Sequence, residues 1–182
     1  MDEKTDKGIC HMMRAIGFFT LGTVALTMSA HVAGIRPNIS ESAPVGLWID
    51  RPMASPLHRG MMIGICPPST SALVQLFSSN GTLPYGKCAE TKVALLSKPV
   101  RALSGDVVRI SHRNPATVNG IPLANTVASE KLPAWPDGEY IVNPDEVWVF
   151  SSHSAKSFDS RYFGPVKIAD IQNRAFPLLV AE

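Results

Sequence analysis

The sequence predicts a mostly antiparallel β domain with one inserted helix, preceded by an apolar helix. Three observations carry this. Short β-branched or aromatic runs bounded by turn residues recur through residues 36–182. Fifteen Pro and thirteen Gly in 182 residues demand many turns and argue against an all-helical fold. Residues 15–35 contain no Asp, Glu, Lys or Arg.

The elements follow in chain order. Ala15 to Ile35, "AIGFFTLGTVALTMSAHVAGI", would span about 30 Å as a helix, the thickness of a bilayer's hydrocarbon core. A cleavable signal peptide has a shorter apolar region and an A-x-A-like exit, and "MSAHVAGI" offers no such exit. A buried soluble helix would show a polar face. The run therefore reads as a retained transmembrane anchor. Lys4, Lys7 and Arg14 precede it and only Arg36 follows closely, which orients the amino terminus to the cytoplasm. The expected division is a cytoplasmic 1–14, an anchor over 15–35 and an exported domain over 36–182.

In the exported part, Met61–Cys66, Val93–Leu96, Asp106–Ile110, Glu139–Val142 and Val147–Ser151 read as strands. Val118-Asn119-Gly120-Ile121 is a hairpin signal, because Asn-Gly tolerates the positive φ of a type I′ turn. One helix is expected after Pro67-Pro68, capped by Ser69, with Ala72, Leu73, Leu76 and Phe77 on one face and Asn80-Gly81 at its end. Cys10 falls on the cytoplasmic side. Cys66 and Cys88 fall in the oxidising compartment, where pairs tend to close; two buried free thiols is the alternative. A bridge between them would contribute roughly 3 kcal/mol in the loop-entropy model.

Seventeen Lys and Arg against fifteen Asp and Glu give a formal net charge of +2, without the clustered basic face of a nucleic-acid-binding protein. There is no C-x-x-C and no paired His, so no metal site is expected. The stretch with chemical interest is Ser42 to Trp48, "SAPVGLW", just downstream of the apolar run. A serine hydroxyl attacks only when a base removes its proton. His153 with Asp159 would supply a Ser-His-Asp site. Lys98, in "VALLSKPVRALSGDVV", is the better base: apolar strand neighbours would strip its hydration and lower its pKa toward 7–8, at a cost of roughly 4 kcal/mol to the fold. A lysine snorkelling to water is the plain alternative.

Three blocks in order resemble the signal peptidase I superfamily (serine peptidase family S26), in its TraF-type conjugal-transfer branch. "SAPVGLW" resembles S-x-P-x-G-[LI]-[YW]. "KPVRALSGDVV" resembles K-R-V-x-G-L-P-G-D, with Lys98 seven residues before Gly105 and eight before Asp106. "SFDSRYFGPV" resembles S-x-D-S-R-x-x-G-x-V, and "VNGIPL" the hairpin after the lysine block. Ser104 stands in place of Pro and Pro99 in place of a basic residue, and the serine is followed by Ala-Pro, not Met-x-Pro. Pro99 cannot donate a ladder hydrogen bond beside the base.

The resemblance implies an antiparallel sheet or partly closed barrel of the signal peptidase type, anchored in a bacterial inner membrane with its catalytic domain in the periplasm. It implies Ser42 as nucleophile and Lys98 as general base, with Ser40 helping the Ser42 N–H to hold the oxyanion. Ser157 would orient the lysine, and Asp159 and Arg161 would support the site. No metal or organic cofactor is needed. The implied substrate is an exported pilin-type precursor, with other conjugation-apparatus proteins as partners. Some relatives are linked to pilin cyclisation, which needs only an amine to reach the acyl-enzyme before water. A general type I signal peptidase and a non-catalytic anchored β domain of a secretion complex are the alternatives. Ser42 lies only seven positions after Ile35, a reach of at most about 25 Å, so an anchor would confine the nucleophile to membrane level.

Overall fold

A computed structural model describes residues 3–54 and 56–181; of residues 3–12 and 15 it describes the backbone. The chain divides into two compact units, Met1–Arg36 and Pro37–Glu182. The first unit is largely helix α1, Glu3–Val32. From Met13 onward its apolar side chains face outward all round: Ile16, Phe18, Phe19, Leu21, Val24, Leu26, Met28 and Val32 are each more than half exposed.

This departs from the expected span over 15–35. The helix ends at Val32, a turn follows, and Ile35 already belongs to a strand. Among the described residues, no helix is long and apolar enough to cross a membrane. Thr20, Thr23, Thr27 and Ser29 interrupt the apolar run, and each hydroxyl donates to a carbonyl one turn earlier. The side chains of Lys4, Lys7 and Cys10, which bear on orientation and redox placement, lie outside the described residues.

The remaining elements are β1 Ile35–Asn38, β2 Gly46–Arg51, β3 Met62–Ile65, α2 Ala72–Ser79, β4 Leu96–Ala102, β5 Val107–Ile110, β6 Thr117–Val118 and β7 Ile121–Pro122. They continue as β8 Gly138–Ile141, β9 Glu146–Val149, α3 Ser160–Phe163, β10 Val166–Lys167 and β11 Ile171–Val180. A seven-stranded sheet runs β1-β2-β11-β3-β4-β9-β10 and a four-stranded sheet β7-β6-β5-β8. The domain is mainly antiparallel β, as expected.

Strand β9, with Phe150 after it, shows why these runs are so apolar. Side chains alternate across a strand. Val147 and Val149 enter one core with Ile63, Ile65, Val100 and Phe163, while Trp148 and Phe150 enter a second with Ala102, Val108 and Ile110. Buried on both faces, the strand reads as a continuous hydrophobic run. In the hairpin, Asn119 and Gly120 take φ of 50° and 80°, the positive values the turn requires.

Three expectations need correction. Val93–Leu96 is not a strand: Val93 makes an isolated bridge to Tyr85 and its carbonyl accepts from Cys88 N–H, so β4 begins only at Leu96. Helix α2 is capped by Ser71, not Ser69, whose hydroxyl is held by Glu90. Its buried face is Leu73 and Val74 with Phe77 partly covered, and Leu76 points outward. Strand β11, unexpected from sequence, lies between β2 and β3. Its ladders shift at Ile171–Asn173 and Pro177–Leu179, so "IQNRAFPLLV" lacks a two-residue period. Cys66 and Cys88 are joined, closing the excursion that contains α2.

Candidate active site

Ser42 sits in the loop between β1 and β2, and a residue absent from the expectations builds that loop. Asn38, 8% exposed, donates from Nδ2 toward the carbonyls of Ser40 (3.1 Å), Ala43 (3.1 Å) and Pro44 (3.0 Å). Its Oδ1 accepts from Ser40 N–H (3.3 Å). Trp48 Nε1 donates to the same Pro44 carbonyl (2.9 Å). Beneath the loop, Ala43 packs with Trp48 and Ala175. Gly46 closes it at φ +147°, where a Cβ would lie 2.2 Å from the Leu179 carbonyl of β11. "SAPVGLW" is therefore a loop pinned from below, with Ser42 half-buried at its crest.

The Ser42 N–H donates to Ser40 Oγ (3.2 Å). The N–H that would hold an oxyanion is thus engaged by the hydroxyl expected to assist it, and a substrate would have to displace that bond. The Ser40 hydroxyl accepts here, which leaves its own proton available to donate.

Lys98 lies mid-strand in β4, opposite Ile63 of β3, and is 4% exposed. Its Nζ donates to Ser157 Oγ at 3.0 Å. Burial lowers its pKa to about 8, with Asp159 pulling it up and Arg161 pushing it further down. Pro99 does not break the strand: it pairs with Met62, its carbonyl accepts from Phe150 N–H (3.3 Å), and Val100 N–H reaches Met61 O (2.9 Å).

Ser157, Asp159 and Arg161 are all fully buried. Asp159 Oδ1 accepts from Arg161 Nε (2.8 Å) and N–H (3.2 Å); Oδ2 accepts from Arg161 Nη2 (2.9 Å) and Ser151 N–H (3.0 Å). Arg161 also donates to the carbonyls of Asn125 (2.9 Å), Ala155 (3.1 Å) and Ser151 (3.2 Å). The pair is saturated, and its effect is to fix the irregular segment 151–159.

That segment touches both expected residues. Ser151 Oγ donates to the Ser42 carbonyl (2.5 Å), and six residues on Ser157 holds Lys98. At the rim, exposed Glu41 and Lys156 pair at 3.6 Å. Among the described residues no hydrogen bond joins Ser42 Oγ directly to Lys98 Nζ. Ser151, fully buried, was not legible from sequence, since nothing sets it apart from the serines around it. His153 is exposed and its ring bonds neither Ser42 nor Asp159, whose oxygens are already taken, so a Ser-His-Asp site is not assembled.

Asp106, from the lysine block, is structural. Burial works to raise its pKa, but bonds from Leu103 N–H, Asn119 and Arg59 outweigh that and hold its carboxyl below the usual range. Cavities of about 500 Å³ beside the disulfide and 540 Å³ beside Met53 and Leu57 include neither Ser42 nor Lys98. Among the described residues, no group of three or more His, Cys, Asp or Glu is placed to hold a metal ion.

A family model described as signal peptidase, peptidase S26, matches residues 9–179. The chain is 36% identical over 171 residues to a conjugal transfer protein TraF of Agrobacterium tumefaciens (strain 15955), covering 91% of this chain and 95% of that protein. It is 30% identical over 173 residues to a plasmid transfer protein TraF of Escherichia coli, covering 91% and 94%. Among solved structures, a signal peptidase I from Enterococcus faecalis V583 aligns at TM-score 0.39 and 18% identity, over 66% of this chain and 97% of that one.

Proposed function

Because this chain belongs to the signal peptidase family, peptidase S26, we propose that it is a serine endopeptidase with a Ser42–Lys98 dyad, cutting an exported precursor in conjugal transfer. The observation that carries the reading is Lys98: a buried amine with a pKa of about 8, fixed by Ser157 in the segment on which the Ser42 carbonyl is docked. At pH 7 such an amine is neutral about a tenth of the time, against well under a thousandth for an ordinary lysine.

In this reading one Nζ–H stays on Ser157 and the lone pair accepts the Ser42 proton. Ser42 Oγ forms a bond to the scissile carbonyl carbon, and the oxyanion is held by the Ser42 N–H, released from Ser40 Oγ, and by the Ser40 O–H. The C–N bond then breaks as the Lys98 ammonium returns its proton to the leaving amine. Water, deprotonated by Lys98, releases the acyl group and frees Ser42.

The conjugation role is carried by the names of the similar proteins, and the pilin-type substrate by the resemblance of the three blocks. Membrane seating is part of the proposal. From Met13 onward helix α1 exposes apolar side chains, its Thr20, Thr23, Thr27 and Ser29 hydroxyls are satisfied within the helix, and 15–32 contains no Asp, Glu, Lys or Arg over about 27 Å of helix. The basic residues before it favour an amino terminus in the cytoplasm and a periplasmic catalytic domain.

The test is cleavage of a pilin precursor, with an ordinary secretory preprotein alongside. Ser42→Ala and Lys98→Ala each abolish processing under this proposal, and unchanged processing in both removes it. Equal cleavage of both substrates favours a general signal peptidase. Extraction of the protein from membranes by alkaline carbonate counts against the anchor.

A further inference from the structure

Building on the Ser42–Lys98 reading, we infer that Phe158 is a positioning residue for the general base: its ring, gripped by the disulfide-closed excursion, fixes the segment from which Ser157 reaches Lys98. The excursion of residues 66–95, between β3 and β4, is then a buttress of the active site.

Ser157, Phe158 and Asp159 are consecutive. The first and third are buried at 1% and 0% exposure and make the site's polar contacts, one to Lys98 Nζ and the other to Ser151 and Arg161. They lie in a stretch without strand partners, so no sheet ladder holds Ser157 in place. The Asp159–Arg161 pair fixes one side. Phe158 fixes the other, because its ring packs against three apolar clusters at once. These are the main core with Ile63 and Val100, the group of Leu73, Ala128 and Tyr162, and the excursion's own Leu83, Cys88 and Val93. Its ring centroid lies 5.2 Å from Phe77 of α2, 5.3 Å from Phe163 and 5.7 Å from Tyr162. Phe77 also packs on the last two clusters, and the Cys66–Cys88 bridge ties the third to the end of β3.

The charged groups around Lys98 are few. Asp159 and Arg161 act on it in opposite directions, and burial outweighs both. Strand β3 brings no titratable side chain. Strand β9 brings Glu146, bonded to Asn143, and β4 itself Arg101, bonded to the Phe150 carbonyl. The nucleophile loop brings Glu41, paired with Lys156. Loosening Phe158 therefore acts mainly by admitting water to Nζ, which moves the lysine back toward its ordinary pKa.

The test uses the full-length protein with Phe77→Ala, Phe77→Leu and Phe158→Leu, none of which removes a group at the site. Two readouts are taken: the pH profile of kcat/KM for precursor cleavage, and the titration of Lys98 followed by the NMR resonance of its Cε. Phe77→Ala is expected to shift the acid limb and the Cε titration upward by about one pH unit, lowering kcat at pH 7 about tenfold with KM nearly unchanged. Activity returns at higher pH, and Phe77→Leu shows a smaller shift. Variants that lose thermal stability while limb and titration stay put overturn the inference. If Phe77→Ala does not fold, an unmoved titration in Phe77→Leu and Phe158→Leu overturns it equally. Inactive Ser42→Ala and Lys98→Ala beside an unmoved Phe77→Ala titration leave the dyad standing and sink only the role of Phe158. Processing by both dyad variants sinks the dyad itself.

Discussion

Lys98 Nζ lies 3.0 Å from Ser157 Oγ, across 59 residues of sequence, with both side chains shut away from solvent. A strand fixes the lysine's backbone, and an irregular segment held by a buried ion pair brings the hydroxyl to it. A strand and a pinned irregular segment thus meet at one hydrogen bond.

Removing that hydroxyl tests its orienting role. Ser157→Ala leaves a buried amine without its partner, and kcat for precursor cleavage is expected to fall about a hundredfold with KM nearly unchanged. Ser157→Thr keeps the oxygen and is expected to retain most of the activity. Steady-state kinetics at pH 8 distinguish the two.

The wild-type pH–rate profile follows from the lysine's position. Only the neutral amine accepts the Ser42 proton, and burial brings its pKa to about 8. kcat/KM is therefore expected to rise about fivefold from pH 7 to 8 and to level off above about pH 9. An acid limb near 6.5 would instead identify a histidine as the base.

The same burial has a cost in stability, with a definite sign. In the unfolded chain Lys98 titrates near 10.4, and in the folded one at about 8. Between these values the unfolded state binds more protons, so this group's contribution to stability rises with pH across the window from 8 to 10.4. Below pH 8 the full penalty, roughly 3 kcal/mol, applies. Lys98→Met is expected to be inactive yet more stable than wild type by about 2 kcal/mol at pH 7. That gap narrows as pH rises toward 10. Urea unfolding at several pH values measures it.

The strands with two buried faces were visible in sequence because both faces must be apolar, as in Val147 to Phe150. The Asn119-Gly120 turn was visible because few residues tolerate its backbone. Strand β11 was hidden because Pro177 and two ladder irregularities erase the alternation. At the site, Ser42, Lys98 and Ser157 stood out through the resemblance of three blocks to the signal peptidase pattern. Asn38 and Ser151 did not, because each acts on backbone carbonyls that any residue could supply. A contact to main chain leaves no complementary residue type for a reader of sequence to find.

Asn38 is accordingly the next residue to change. Its amide donates toward three carbonyls of the loop that presents Ser42. Asn38→Ala removes one donor from each of these carbonyls, of which Pro44 keeps Trp48 Nε1, and is expected to destabilise the domain by about 2 kcal/mol and to lower kcat. Asn38→Asp, near-identical in shape but unable to donate when ionised, is expected to be worse. Thermal unfolding together with precursor cleavage checks both.

Ser40 gives the sharpest separation of binding from chemistry. Its Oγ accepts from the Ser42 N–H at 3.2 Å, so hydroxyl and N–H lie side by side, and a substrate would take the N–H over from Ser40. In the proposed mechanism an oxyanion forming on a carbonyl carbon bonded to Ser42 draws both donors more strongly than the ground-state carbonyl does. Ser40→Ala removes one donor and keeps the N–H, and losing one such donor typically costs about a hundred- to a thousandfold in kcat. KM is expected to change by less than about threefold, since substrate binding elsewhere is untouched. Stability should hardly move, because Ser40 is exposed. Ser40→Thr, which keeps a hydroxyl, is expected to recover most of the rate. A Ser40→Ala enzyme with wild-type kcat, in single-turnover cleavage at saturating enzyme, would leave the oxyanion to the Ser42 N–H alone.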